Sequence, residues 1–158
     1  MADVKKLKKT DLTKINKIVQ TLLGLLGIDK AKTKIEDKDN VVYINIDYPD
    51  SGILIGFQGE SLFSLQLILS LIIYKNLGFW QKIVVDIGDY REKRAESLQK
   101  LALNTAQKVK FSGEQIMFRD LNPADRRVIH MALAVNPDVK TESQGEGKDR
   151  VLLVMPKN

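Results

Sequence analysis

The sequence contains no cysteine, and that absence excludes disulfide cross-links, thiolate metal centres and cysteine nucleophiles while fitting a reducing cytoplasm. Histidine is almost as scarce. The single one, His130, leaves zinc coordination and Ser-His-Asp catalysis poorly supplied, so no metal or other cofactor is expected. Long hydrophobic runs are missing as well: the most apolar stretch, Leu62 to Tyr74, is interrupted by Ser64, Gln66 and Ser70 and is shorter than the roughly 20 residues of a membrane span. It predicts a buried helix without membrane insertion. No apolar signal core follows the Lys-rich first residues, so secretion is not indicated and a cytoplasmic location is expected. Internal repeats and low-complexity tracts are also absent.

What the chain does have is a 44% hydrophobic content over 158 residues, enough for the core of one medium domain or two small ones. Its 25 Lys and Arg exceed its 20 Asp and Glu, a net charge of +5. That excess favours a polyanionic partner, although proteins that bind nothing acidic commonly carry as much.

Along the chain, Lys5, Lys6, Lys8 and Lys9 predict a flexible basic arm over residues 1–10. From Asp11, the spacing of Ile15, Ile18, Val19, Leu22, Leu23 and Leu26 predicts an amphipathic helix that stops at Gly27. Thr33 to Glu36 and Val41 to Asp47 follow as a hairpin turning through Asp37 to Asn40. After the break at Pro49 to Gly52 come a short apolar helix at Ile53 to Ile55, Gly56-Phe57-Gln58-Gly59, a helix over Glu60 to Tyr74 and a strand over Lys82 to Ile87. Tyr90 to Lys110 has the charged pattern of a helix that connects two domains. Gln115 to Phe118 predicts a short strand. Asn122-Pro123-Ala124-Asp125 has an Asn cap, proline at the first helical position and an acid in the first turn, and so begins a helix running to about Val135. Val139 to Ser143 and Arg150 to Met155 close the chain as a second hairpin.

Two constellations carry candidate chemistry. Gly56 and Gly59 flank Phe57 and Gln58 at a helix start, where a backbone without side chains can approach a sugar-phosphate chain and the helix N–H groups favour an anion. A bare Gly-xx-Gly more often marks a tight helix–helix turn; here the surrounding element order is that of a type II KH domain, whose loop clamps single-stranded nucleic acid. Arg126 and His130 lie four apart on one flank of the Asn122-capped helix, so both side chains can reach one phosphate or stack on one base. The hairpin that follows brings Ser143, Lys148 and Arg150 into the same small unit. The carboxylates Asp86 and Asp89 raise a nuclease alternative, but strand-end and turn chemistry accounts for them and no metal-ligand set accompanies them.

Read together, Leu54-Ile55-Gly56-Phe57-Gln58-Gly59-Glu60-Ser61-Leu62 with Leu65-Gln66, Val84-Val85-Asp86-Ile87-Gly88-Asp89-Tyr90-Arg91-Glu92-Lys93-Arg94, and Leu101-Ala102 resemble the Jag family of bacterial proteins, also called KhpB or EloR. So do Asn122-Pro123-Ala124-Asp125-Arg126-Arg127-Val128-Ile129-His130 with Ala132-Leu133, and Ser143 with Gly145 and Arg150. The resemblance runs over nearly the whole chain from Asp11. It implies an α+β protein: a type II KH domain (α-β-β-α-α-β) over 11–88, a connecting helix over 89–112 and a small α/β Arg-xxx-His (R-three-H) domain over 113–158. It further implies a non-catalytic cytoplasmic binder of single-stranded RNA, with single-stranded DNA as a second ligand. Such a protein is a post-transcriptional regulator linked to envelope growth or division, and its partner is a small KH-only protein or a second copy of itself.

The RNA-binding residues implied are Gly56, Phe57, Gln58 and Gly59 in the loop and Arg126, Arg127, His130, Lys148 and Arg150 in the second domain. Two features depart from the family pattern. A basic residue usually stands between the two glycines, and this chain has Phe57 and Gln58 there, so Phe57 is expected to stack on a base in place of a lost phosphate contact. The alternative is a loop turned to protein interaction or dimerisation. The family's separate N-terminal domain is expected to be absent, because the KH helix begins almost at once.

Overall fold

A computed structural model of the chain describes residues 7–157. The chain divides into two compact units between Arg91 and Glu92. Met1 to Lys6, most of the expected basic arm, lies outside the described residues. Lys9 already belongs to α1 (Lys9–Leu25), because the Asp11 carboxylate accepts from the Lys8 backbone N–H at 3.0 Å and closes the helix start ahead of the predicted position.

In the first unit α1 is followed by β1 (Lys32–Lys38), β2 (Val41–Asp47), α2 (Ser51–Ile55), a 3₁₀ turn over Phe57–Gly59, α3 (Glu60–Leu77) and β3 (Lys82–Ile87). The sheet order is β1-β2-β3, with β1 antiparallel and β3 parallel to β2. A parallel neighbour needs a crossover, and α2 with α3 supplies it. This is the order and pairing of a type II KH arrangement. The hairpin turn is tighter than predicted. Asp39 and Asn40 both take positive φ, 52° and 59°, so a two-residue turn suffices and Asp37 and Lys38 stay in the strand.

The periods written in the sequence decide what is buried. Ile15, Val19 and Leu23 form one stripe of α1, Leu62, Leu65, Leu69 and Ile73 one stripe of α3, and Val42, Ile44 and Ile46 the inner face of β2; with Ile83, Val85 and Ile87 of β3 they make the core. On the edge strand β1, Lys34 and Lys38 each lie 2.8 Å from Glu36 and hold its carboxyl down to about 2. Charges along an edge discourage further strand pairing. The apolar helix is longer than the run Leu62 to Tyr74 suggested: α3 has 18 residues and, by length and composition alone, is enough for a membrane span. Its core stripe packs on the sheet.

The second unit contains most of α4 (Tyr90–Ser112), then β4 (Ile116–Phe118), α5 (Pro123–Leu133), β5 (Val139–Gln144) and β6 (Val151–Pro156), with the antiparallel sheet order β4-β6-β5. Here the structure corrects the reading of α4 as a connector. Leu98, Ala102, Ala106 and Val109 are buried against Ile129, Leu133, Val139, Leu152 and Val154. Two alanines in the stripe give it a weak hydropathy signal while permitting close packing, which is why its charged faces dominate the sequence pattern.

A candidate nucleic-acid interface

The Gly-xx-Gly loop is shaped by its own chain. Gly56 and Gly59 have φ of 70° and 87°, and Gln58 between them has φ 50°. A Cβ on Gly56 would lie 2.9 Å from the Ser61 backbone N, and one on Gly59 would lie 2.9 Å from Cε1 of Tyr90. Both glycines are therefore required by local packing before any ligand is considered. Phe57 is 72% exposed, Gln58 is half-buried, and the loop carries no cation before Glu60 opens α3.

Beneath the loop, residues of the two longest sequence motifs tie α3 to β3. Gln66 Oε1 accepts from the Val85 backbone N–H and from Arg91 Nη2, each at 2.9 Å, and Arg91 Nε donates to the Val85 carbonyl at 2.9 Å. The same guanidinium lies 5.1 Å from the centre of the Phe63 ring. Asp86 Oδ1 accepts from the backbone N–H of Ile87 and Arg91, at 2.9 and 3.3 Å. That carboxylate is thereby occupied at the strand end, and Asp89 takes a positive-φ turn position.

The second constellation rests on α5. Asn122 Oδ1 accepts from the Asp125 N–H at 2.8 Å, with Pro123 in the first turn. The buried Asp125 carboxylate pairs with Arg94 of α4 at 2.8 Å, a partner that no sequence spacing announced. With its first turn held in this way, α5 presents Arg126, Arg127 and His130 to a cleft of about 240 Å³ that is completed by Pro123, Ser143 and Arg150. Lys148, in the short turn Gly147–Asp149, is not among the lining residues.

The cleft is basic and lacks a carboxylate in its lining. Arg126 spends one donor, Nη1, on the Leu121 carbonyl at 2.6 Å, which fixes the guanidinium and leaves its other N–H groups to a ligand. His130 Nδ1 lies 2.6 Å from Thr141 Oγ1. This contact orients the imidazole and leaves Nε2 as the ring atom available to a ligand. Thr141 was missed in the sequence; its only signal was that it shares strand parity with Ser143. Three guanidiniums and one imidazole around so small a cleft suit a phosphate group.

Comparison with known proteins follows the same division. Residues 96–156 match the R-three-H domain family. The chain is 39% identical over 111 residues to the RNA-binding protein KhpB of Clostridium symbiosum, covering 70% of this chain and 50% of that protein. It is 28% identical over 158 residues to the RNA-binding protein KhpB of Bacillus subtilis (99% and 76%), and 33% identical over 111 residues to that of Lactiplantibacillus plantarum (70% and 34%). It thus spans half the length of the first relative and about a third of the last. With the R-three-H match lying on the unit that holds the Arg126–His130 cleft, and the KhpB alignments extending into the KH-type unit, the chain is similar to the KhpB, or Jag, proteins along both units.

Proposed function

We propose that the chain is a non-catalytic, cytoplasmic single-stranded RNA-binding protein that regulates RNA after transcription, with envelope growth or division as the process served. The observation that carries this reading is the carboxylate-free cleft of Arg126, Arg127, His130 and Arg150. Its groups are donors, three of them carried on α5, suited to the phosphates of a nucleic-acid backbone. Phe57, bare at the Gly-xx-Gly turn, adds a stacking surface for an unpaired base. Exposed Lys148 on the neighbouring turn contributes long-range attraction. The names of the KhpB relatives support RNA as the ligand.

Anisotropy titration at several salt concentrations tests it. Short single-stranded RNA is expected to bind more tightly than duplex RNA, because unstacked bases are what the turn admits, and single-stranded DNA is expected to compete. The logarithm of the affinity should fall linearly with the logarithm of salt concentration, at about 0.7 per phosphate neutralised. Equal or tighter binding of duplex overturns the reading.

One observation favours a second reading, a surface for protein interaction or dimerisation. Leu67, Leu71 and Trp80 are 59%, 53% and 61% exposed, and no charged residue lies between Glu60 and Lys75 on α3. Leu67 and Leu71 lie four apart on α3, with Trp80 just beyond its end, and an apolar surface of that kind is costly to leave bare in water. Sedimentation of wild type and Leu71→Glu decides it: a dimer that becomes monomeric in the variant supports self-association, and a monomeric wild type removes it.

A further inference from the structure

Beside the Gly-xx-Gly turn, a cleft of about 480 Å³ has an apolar floor that includes Leu26, Ile53, Leu65 and Ile68, and a rim formed by Glu60, Ser61 and Ser64. Of the three polar side chains on that rim, the Ser61 hydroxyl can donate or accept, whereas the other two can only accept. Ser64 Oγ donates its proton to the Glu60 carbonyl at 2.9 Å, so the oxygen has only lone pairs left to offer, and the Glu60 carboxylate is likewise an acceptor. Glu60 also occupies the first position of α3, where the positive end of the helix would otherwise draw an anion. With no Lys or Arg among Gly56 to Gly59, a phosphate placed here would meet a like charge, a repulsion of about 1 kcal/mol at contact even in bulk water. A flat apolar ring whose edge carries N–H donors meets a complementary surface.

We propose that this cleft is a base subsite selective for guanine. The ring would lie on the leucine and isoleucine floor. Its N1–H and exocyclic N2–H would donate side by side to the two oxygens of Glu60, while Phe57, 72% exposed, stacks the adjoining base. Cytosine and adenine present one amino group next to an acceptor nitrogen, and uracil a single N–H between two carbonyls. Guanine alone has neighbouring donors that match a carboxylate in parallel. This proposal rests on the RNA-binding reading and deepens it, assigning base identity to the first unit and phosphate contact to the second.

The test uses uridine-rich oligoribonucleotides that differ only at one central position: guanosine, inosine, adenosine, cytidine or uridine. Inosine lacks the N2 amino group and nothing else. Wild type is expected to bind the guanosine oligonucleotide about tenfold more tightly than the inosine one, the scale of a bidentate base contact. Glu60→Gln, which exchanges one acceptor oxygen for an amide, is expected to lose that preference while retaining the affinity for the uridine control. A merely structural role for Glu60 would instead lower the melting temperature and weaken every oligonucleotide alike. Equal binding of guanosine and inosine by wild type, or a guanosine preference that survives in Glu60→Gln, overturns the assignment. Indifference of all five to both proteins also overturns it, and leaves the acceptor rim to a basic protein segment. Failure to bind any of the five is a different result, because it removes the RNA-binding reading itself.

Discussion

The double variant Arg126→Ala with His130→Ala is expected to bind single-stranded RNA roughly tenfold to a hundredfold more weakly than wild type, without changing which sequences it prefers. The magnitude follows from one charged hydrogen-bonding site, worth about 1.5–3 kcal/mol. Preference should persist because both groups line a cleft suited to phosphate, and the backbone carries no base identity. The salt slope should fall by about 0.7 if one phosphate contact is lost, and by about twice that if two are. Neither side chain is in the core: His130 is exposed and Arg126 half-buried. The fold loses the Arg126 bond to the Leu121 carbonyl and the His130 contact with Thr141, together about 1–2 kcal/mol, so the melting temperature should drop by several degrees without unfolding the protein at 25 °C. A weaker affinity with an unaltered slope would mean that the pair stacks on bases. Full affinity in the folded fraction of a destabilised variant would remove these residues from the site.

Gly59→Ala is expected to destabilise the first unit by about 2–5 kcal/mol, and Gly56→Ala by a similar amount. A left-handed backbone costs a side-chain-bearing residue about 1–2 kcal/mol, and the new methyl group must displace the Tyr90 ring or the Ser61 backbone at 2.9 Å, an overpacking cost of about 1–3 kcal/mol. Chemical denaturation monitored by circular dichroism measures it. A wild-type midpoint for Gly59→Ala would show that the packing of Tyr90 against Gly59 does not fix the turn. Aspartate at either position meets the same contacts, so loss of RNA binding in such variants reports misfolding as readily as a missing phosphate contact. Phe57→Ala is the sounder probe. The ring is 72% exposed, so stability should stay within about 0.5 kcal/mol while binding loses the roughly 1–3 kcal/mol of one stacked base.

Several properties could be read from the sequence because they depend on near neighbours in the chain. The helical stripe of Ile15, Val19 and Leu23, the alternation of Val42, Ile44 and Ile46, and the Asn122-Pro123-Ala124-Asp125 start of α5 are local patterns, and each sets its element and its inward face. The i, i+4 spacing of Arg126 and His130 likewise places both on one flank of α5. Tertiary structure decided what depends on residues far apart. It put Ala102 and Ala106 of α4 into the second unit's core, because small residues signal close packing only when a partner surface is known. It paired Arg94 with Asp125 and His130 with Thr141, and brought Arg150, but not Lys148, to the cleft. It also gave Gly56 and Gly59 an internal reason to be glycine. Period and capping act over a few residues along the chain, whereas packing, ion pairing and cleft formation act through space and are fixed only once the whole unit has folded.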